Sequence, residues 1–128
     1  MLNDKKAYSS FSVNDIDAAF DFYTTTLGLQ VKRDEMDILV LMIPGNDNGT
    51  LIYPKRDHVP ATFTILNFPV DDLDATVDWL TQKGVAFEQY DMPDLKTDAK
   101  GIARGDEGPE MAWFKDPAGN IIGLQGKY

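Results

Sequence analysis

The chain contains the same sequence pattern twice. Residues 13–22 read Val-Asn-Asp-Ile-Asp-Ala-Ala-Phe-Asp-Phe, and residues 70–79 read Val-Asp-Asp-Leu-Asp-Ala-Thr-Val-Asp-Trp, so the copies are offset by 57 residues (Asp15 to Asp72). Each copy is followed by a glycine, Gly28 or Gly84, and then by an apolar run. In a chain of 128 residues this echo indicates two copies of one structural unit, and a site is expected where the copies meet.

Each copy has the pattern of a strand, a helix and three further strands. Alternation over 8–13 and 62–70 predicts the first strands, Asp15 and Asp72 are placed to cap the helices, and Gly28 and Gly84 are placed to end them. The remaining predicted strands are 29–33, 38–43 and 50–53 in the first unit, and 85–90, 111–114 and 121–125 in the second. The polar stretch 54–60 is the predicted join.

Composition limits the class of protein. The hydrophobic fraction of 43% is enough for one ordinary domain, and the absence of cysteine excludes disulfides and thiolate chemistry. A net charge of −9 argues against nucleic acid and anionic membranes as partners. The N-terminus leads into no apolar leader, and the longest apolar run, 38–43, is too short to span a bilayer. We therefore expect a cytoplasmic protein.

One segment breaks the repeat. Residues 91–109 of the second unit are long and rich in Gly, Pro and charge. Such a loop is a lid over a cavity or a solvated excursion, and the sequence leaves both alternatives open. Ile102 and Ala103 could also add a short strand.

The repeated unit, the phrases Phe22-Tyr23 and Leu27-Gly28-Leu29, and the closing Asp116-Pro117-Ala118-Gly119-Asn120 together resemble the vicinal oxygen chelate superfamily. That group includes glyoxalase I, extradiol dioxygenases, fosfomycin-resistance enzymes and bleomycin-resistance proteins. The resemblance implies a single α+β domain over 1–128, built from two tandem βαβββ modules (about 5–56 and 60–127) that form a curved mixed-sheet cup. It also implies a homodimer.

The metal positions of this family are empty here. The resemblance places the family's ligands at Tyr8, Ile65, Gly123 and within Leu51-Ile52-Tyr53. A divalent metal needs three or four imidazole, carboxylate or amide donors at about 2.0–2.5 Å, which these residues do not supply. The sequence therefore predicts no metal and no other cofactor. His58, the only histidine, is expected to be an exposed residue of the join.

Strand parity places several residues on one face of the predicted sheets, and we interpret this face as the wall of a small-molecule site. The loss of a side chain at 123 is expected to leave room for a ligand. Arg104 is either an anion clamp or a solvated side chain, Glu110 could act as a base only if it were desolvated, and Trp113 and Tyr53 line the cup or belong to the core. The predicted ligand-binding residues are Tyr8, Ser10, Tyr53, Ile65, Asn67, Arg104, Trp113, Gly123 and Gln125.

Three functions remain open at this point. The first is metal-independent binding of a small, partly aromatic molecule. The second is catalysis, by a metal-dependent lyase, isomerase or dioxygenase whose ligands lie elsewhere, or without metal through Tyr8, Glu110 or Arg104. The third is an interaction module that uses its outer face.

Overall fold

The computed structural model describes residues 1–105 and 108–127. The chain divides into two compact units, Met1–Pro60 and a second that begins at Ala61. Each contains one four-stranded sheet with parallel and antiparallel pairs. The predicted α+β class is confirmed.

The first unit has the predicted order of strand, helix and three strands. Its sheet has the order β1-β4-β3-β2, in which β1 is parallel to β4 and the other neighbours are antiparallel. The elements are β1 (Ser9–Val13), α1 (Ile16–Asp21), a π-helical segment (Phe22–Thr26), β2 (Gln30–Arg33), β3 (Leu39–Met42) and β4 (Thr50–Pro54).

Local chemistry explains where the first helix begins and ends. Asp15 caps it by accepting a hydrogen bond from the backbone N–H of Ala18 at 3.1 Å. The helix widens to π geometry over three threonines, and the Thr24 hydroxyl donates to the carbonyl of Phe20 at 2.6 Å. Gly28 then takes a φ of 72°, which a residue with a Cβ rarely adopts, so the predicted helix stop is confirmed.

The second unit repeats this plan with an insertion. Its sheet has the order β5-β10-β9-β8, with β5 parallel to β10. The elements are β5 (Thr64–Pro69), α2 (Leu73–Gln82), β6 (Asp91–Met92), β7 (Leu95–Lys96), β8 (Ile102–Ala103), β9 (Met111–Lys115) and β10 (Ile121–Gln125). Asp72 caps α2 through the Ala75 N–H at 3.0 Å, as predicted.

The predicted strand 85–90 is wrong. Only Phe87 forms a bridge, to Phe114 of β9, and the Glu88 N–H donates to the Trp113 carbonyl at 2.8 Å. The chain then leaves the sheet edge, forms the β6-β7 hairpin and returns as β8, whose Ile102 lies opposite Ala112. The edge strand is thus split by the inserted segment, and the short strand considered at Ile102 and Ala103 is present.

Both helices have one buried apolar side, which packs on one face of the sheet of the same unit. Leu73, Val77 and Leu80 are the buried residues of α2. Within the described residues, no helix has the length and apolar character needed to cross a membrane.

Candidate functional site

The face of the first sheet that points away from α1 carries Ser10 and Tyr53, two of the three ligand-binding residues predicted in the first unit. Ser10 lies opposite Leu51, and Ser12 lies opposite Tyr53, across the parallel β1-β4 pair. Their neighbours in sequence, such as Val13 and Ile52, point to the helix side and are fully buried. Tyr8 precedes β1 and is 62% exposed.

The corresponding face of the second sheet brings three predicted residues into one row. Asn67 of β5 lies opposite Gly123 of β10, which lies opposite Trp113 of β9. Gln125 follows two residues further along β10. Ile65 falls at a register shift between β5 and β10, because Ile121 pairs with Thr64 whereas Ile122 pairs with Leu66.

The space above Gly123 is already filled, which corrects the expectation that it leaves room for a ligand. A Cβ at this position would lie 2.5 Å from Oδ1 of Asn67, 3.2 Å from Cγ2 of Thr64 and 3.5 Å from Cδ1 of Trp113. The Asn67 amide therefore lies over the glycine. What stands at the family's carboxylate position is a neutral amide from the next strand.

Trp113 is half-buried and is contacted by Tyr90, which directly precedes the inserted segment 91–109. The Tyr90 ring meets the indole edge-on, with ring centroids 5.6 Å apart and an interplanar angle of 81°. Tyr90 is in turn fixed by Thr97, whose N–H donates to the Tyr90 carbonyl at 2.9 Å and whose Oγ1 accepts from the Tyr90 N–H at 2.9 Å. Thr97 of the inserted segment thus fixes the residue that packs against Trp113.

Arg104 does not join the other predicted residues. Its guanidinium lies on the α2 side of the sheet and bonds three carboxylates: Asp74 at 2.6 Å, Asp98 at 2.9 Å and Glu110 at 2.6 Å. Lys100 also bonds Asp74, at 3.1 Å. These ion pairs connect the segment 98–104 to the first turn of α2, so in this structure the guanidinium is engaged with carboxylates of the protein.

The pKa shifts agree with this role. Hydrogen bonds from Arg104 and then Lys100 lower the pKa of Asp74. Burial raises the pKa of Asp98, but bonds from the Ile102 N–H, Arg104 and the Lys100 N–H outweigh it, so the net pKa is lowered. Glu110 is bonded to Arg104 and 41% exposed, so the desolvation that a general base would need is not present.

His58 is not the exposed residue that the sequence suggested. It is half-buried, and its Nδ1 forms a hydrogen bond of 2.7 Å with Oγ of Ser12 on β1. The Lys55 N–H donates to the Val13 carbonyl at 2.9 Å, and the His58 N–H donates to the Lys55 carbonyl at 3.1 Å. This turn brings the imidazole back to the sheet, and a contact across 46 residues has no local sequence signal.

The residues present do not fit a family-type metal. Ile65 and Gly123 offer no donor atom, and Asn67 fills the space above Gly123. Within 1–105 and 108–127, no group of three or more His, Asp or Glu side chains is arranged to hold a metal ion.

Two clefts of the second unit border α2 rather than the row Asn67, Gly123 and Trp113. One, of ≈ 590 Å³, lies at the N-terminus of α2 and includes Arg104 and Glu110 in its wall. The other, of ≈ 320 Å³, lies beside the C-terminal half of α2 and includes Phe87.

Comparisons with known proteins agree with this architecture. The model of the Glyoxalase/Bleomycin resistance protein/Dioxygenase superfamily matches residues 7–124. No curated protein matches the chain.

Several solved structures are similar over nearly the whole chain. TnmS3, an antibiotic binding protein from Streptomyces sp. CB03234, is 25% identical with a TM-score of 0.69, covering 100% of this chain and 99% of its own. A glyoxalase/bleomycin resistance protein from the same organism is 26% identical with a TM-score of 0.62, covering 94% and 99%. The fosfomycin resistance protein FosX from Listeria monocytogenes shares the fold, at 12% identity, a TM-score of 0.72 and coverage of 95% and 92%.

The match covers both repeated units and the turn between Asp116 and Asn120. The chain belongs to the Glyoxalase/Bleomycin resistance protein/Dioxygenase superfamily.

Proposed function

We propose that this protein binds a small, partly aromatic molecule, without a metal ion, on the helix-free faces of its sheets. The observation that carries the proposal is the row Asn67, Gly123 and Trp113, where an amide and an indole edge flank a glycine in place of a metal-binding carboxylate. Apolar walls with a few placed polar groups are the usual form of small-molecule sites. The similarity to an antibiotic binding protein supports binding rather than turnover.

The first test is binding by calorimetry, with bleomycin and 1-anilinonaphthalene-8-sulfonate as probes, in excess EDTA and after adding Zn²⁺, Ni²⁺ or Fe²⁺. Under this proposal at least one probe binds and its affinity is the same in all conditions. Binding that vanishes in EDTA and returns with a metal would overturn metal independence. One bound ion per chain, in protein purified without a histidine tag, would also overturn metal independence. It would support the alternative of a metal-dependent lyase, isomerase or dioxygenase.

The second test uses the two tryptophans of the chain as a matched pair. Trp113 lies in the proposed site, whereas Trp79 is 45% exposed on α2 with the Lys83 ammonium 4.0 Å from its ring centroid. We expect Trp113→Leu to weaken probe binding about tenfold or more, since stacking aromatics contribute about 0.5–1.5 kcal/mol beyond area burial. Trp79→Leu should leave it unchanged. Equal effects of the two variants would contradict the placement of the site.

The proposal extends to the assembly and the location. We propose a homodimer in the cytoplasm that takes neither nucleic acid nor a membrane as partner, in keeping with a net charge of −9. Light scattering on the purified protein should give twice the chain mass of 14.3 kDa. An outer-face interaction module is distinguished by Ser10→Leu and Asn67→Leu, which would leave partner binding intact while abolishing probe binding.

A further inference from the structure

A group of polar side chains, of which only Tyr53 is among the predicted ligand-binding residues, lies at one end of the first sheet. Ser12 and Tyr53 are paired across β1 and β4 on the helix-free face, and His58 is bonded to Ser12 at 2.7 Å. The imidazole and the Ser12 hydroxyl are thus bonded, and the Tyr53 side chain leaves the neighbouring strand position on the same face; we call these three residues the β1-β4 polar end.

Two backbone hydrogen bonds form the turn that positions His58. Lys55 continues the β1-β4 hydrogen bonding by donating to the Val13 carbonyl, and its own carbonyl accepts from the His58 N–H. The Lys55 ammonium is also paired with Asp57 at 2.5 Å inside this turn. The imidazole is therefore held against the sheet, where it is half-buried.

The next row of residues on the same face contains two aliphatic side chains. Val40 of β3 lies opposite Leu51 of β4, and Leu51 lies opposite Ser10. An aliphatic surface that ends in neutral hydrogen-bonding groups is complementary to a ring whose far end carries an oxygen atom.

We propose that the β1-β4 polar end binds a hydroxyl or carbonyl oxygen attached to the aromatic ring of the ligand, with His58 as the residue that determines this preference. The inference rests on the proposed function, because it assumes that the helix-free face of the first sheet receives the ligand. It adds a ligand class, oxygenated aromatic molecules, and a residue that acts by hydrogen bonding without bond making or breaking.

The test compares 2-naphthol with naphthalene, two probes that differ by one hydroxyl. Dissociation constants are measured for the wild-type protein, His58→Phe, Ser12→Ala and the matched control Ser9→Ala. Ser9 is on the same strand but is bonded to Thr50 on the opposite face. Circular dichroism verifies that each variant is folded.

The wild-type protein is expected to prefer 2-naphthol. His58→Phe and Ser12→Ala should reduce that preference by about three- to tenfold, the usual value of one neutral hydrogen bond, while naphthalene binding stays within about twofold. Ser9→Ala should leave both constants unchanged. If naphthalene binds but neither site variant alters the preference, the polar subsite is refuted and the proposed function stands. If neither probe binds the wild-type protein, the polar subsite is refuted, whereas the proposed function is decided by the measurements with bleomycin and 1-anilinonaphthalene-8-sulfonate.

A second measurement does not depend on the variants. Because His58 is the only histidine, its imidazole ¹⁵N resonances are identified without assignment in protein purified without a histidine tag. We expect 2-naphthol to shift them more than naphthalene does, since only the former adds a hydrogen bond. Equal shifts with the two probes would overturn the proposal.

Discussion

The buried turn between β9 and β10 allows a stability effect to be worked from the structure. Asp116 and Asn120 are only 4% and 2% exposed. The Asp116 carboxylate accepts hydrogen bonds from the Ala118 N–H at 2.9 Å, the Asn120 N–H at 2.9 Å and Nδ2 of Asn120 at 3.0 Å. The substitution Asp116→Ala removes both acceptor oxygens and leaves the donors of three hydrogen bonds, two of them on buried Asn120, without this partner.

Hydrogen bonds to a charged group are worth about 1.5–3 kcal/mol each, and bonds that share one turn do not add fully. We therefore expect Asp116→Ala to lower the free energy of unfolding by about 3–5 kcal/mol, a large part of the roughly 5–15 kcal/mol of a typical domain. Urea denaturation measures this loss as a lower midpoint at unchanged slope. Binding of the probes should weaken as well, because the turn joins the strands that carry Trp113 and Gly123.

The first unit contains the matched control. Asp34 makes two backbone bonds of the same kind, from the Met36 N–H at 2.8 Å and the Ile38 N–H at 3.0 Å, but it is exposed, so water can replace it. Asp34→Ala should cost about 1 kcal/mol or less. Equal losses for the two variants, or a loss below about 1 kcal/mol for Asp116→Ala, would refute the reasoning that burial makes this turn costly to break.

Two further predictions concern the second unit. Gly123→Ala should change the free energy of unfolding by less than about 1 kcal/mol, because its Cβ would meet, at 2.5 Å, only Oδ1 at the end of the exposed Asn67 side chain, which can turn aside. A loss of about 2 kcal/mol or more in urea denaturation, relieved by Asn67→Ala in the same chain, would contradict this and show that the Asn67 amide is held in place. The pKa of Asp74 is lowered by Arg104 and Lys100, so this stabilisation is complete above the ordinary value of 3.8 and is lost as the pH falls through the lowered pKa. Arg104→Met should therefore reduce stability at neutral pH and flatten its decline in acid, measured by urea midpoints against pH, whereas an unchanged pH profile would exclude the network as its source.

The local part of the fold could be predicted from the sequence. Asp15 and Asp72 cap their helices through residues three positions away, and Gly28 and Gly84 end the helical regions through their own φ angles. Such features need only neighbouring residues, so their signals lie within one turn of chain. Alternation and turn residues likewise located the strands of the first sheet and most of those of the second.

The parts that could not be predicted depend on distant partners. The bond from His58 to Ser12 spans 46 residues, and the ion pair of Arg104 with Asp74 spans 30. The strand expected over 85–90 has a strand-like composition, but only the structure shows that the chain leaves the edge after one bridge. The periodicity of a sequence indicates which secondary structure a segment favours. It does not indicate which other strand the segment can pair with.

The two units have the same residue types at positions that shape the backbone, such as the helix caps. They differ on the helix-free faces that are proposed to contact the ligand. Ser10 and Asn67 occupy equivalent positions at the 57-residue offset, yet one is a hydroxyl and the other an amide that covers Gly123. The first unit presents Ser12 with His58, whereas the second presents Trp113 with Tyr90. The duplicated backbone therefore presents two chemically different faces, one with a hydroxyl and an imidazole and the other with an amide and an indole. A polar group that a ligand buries without a partner costs about 1–3 kcal/mol, so the same ligand group cannot satisfy both faces equally well. Variants of Ser12 and of Trp113 should consequently differ in which probes they weaken.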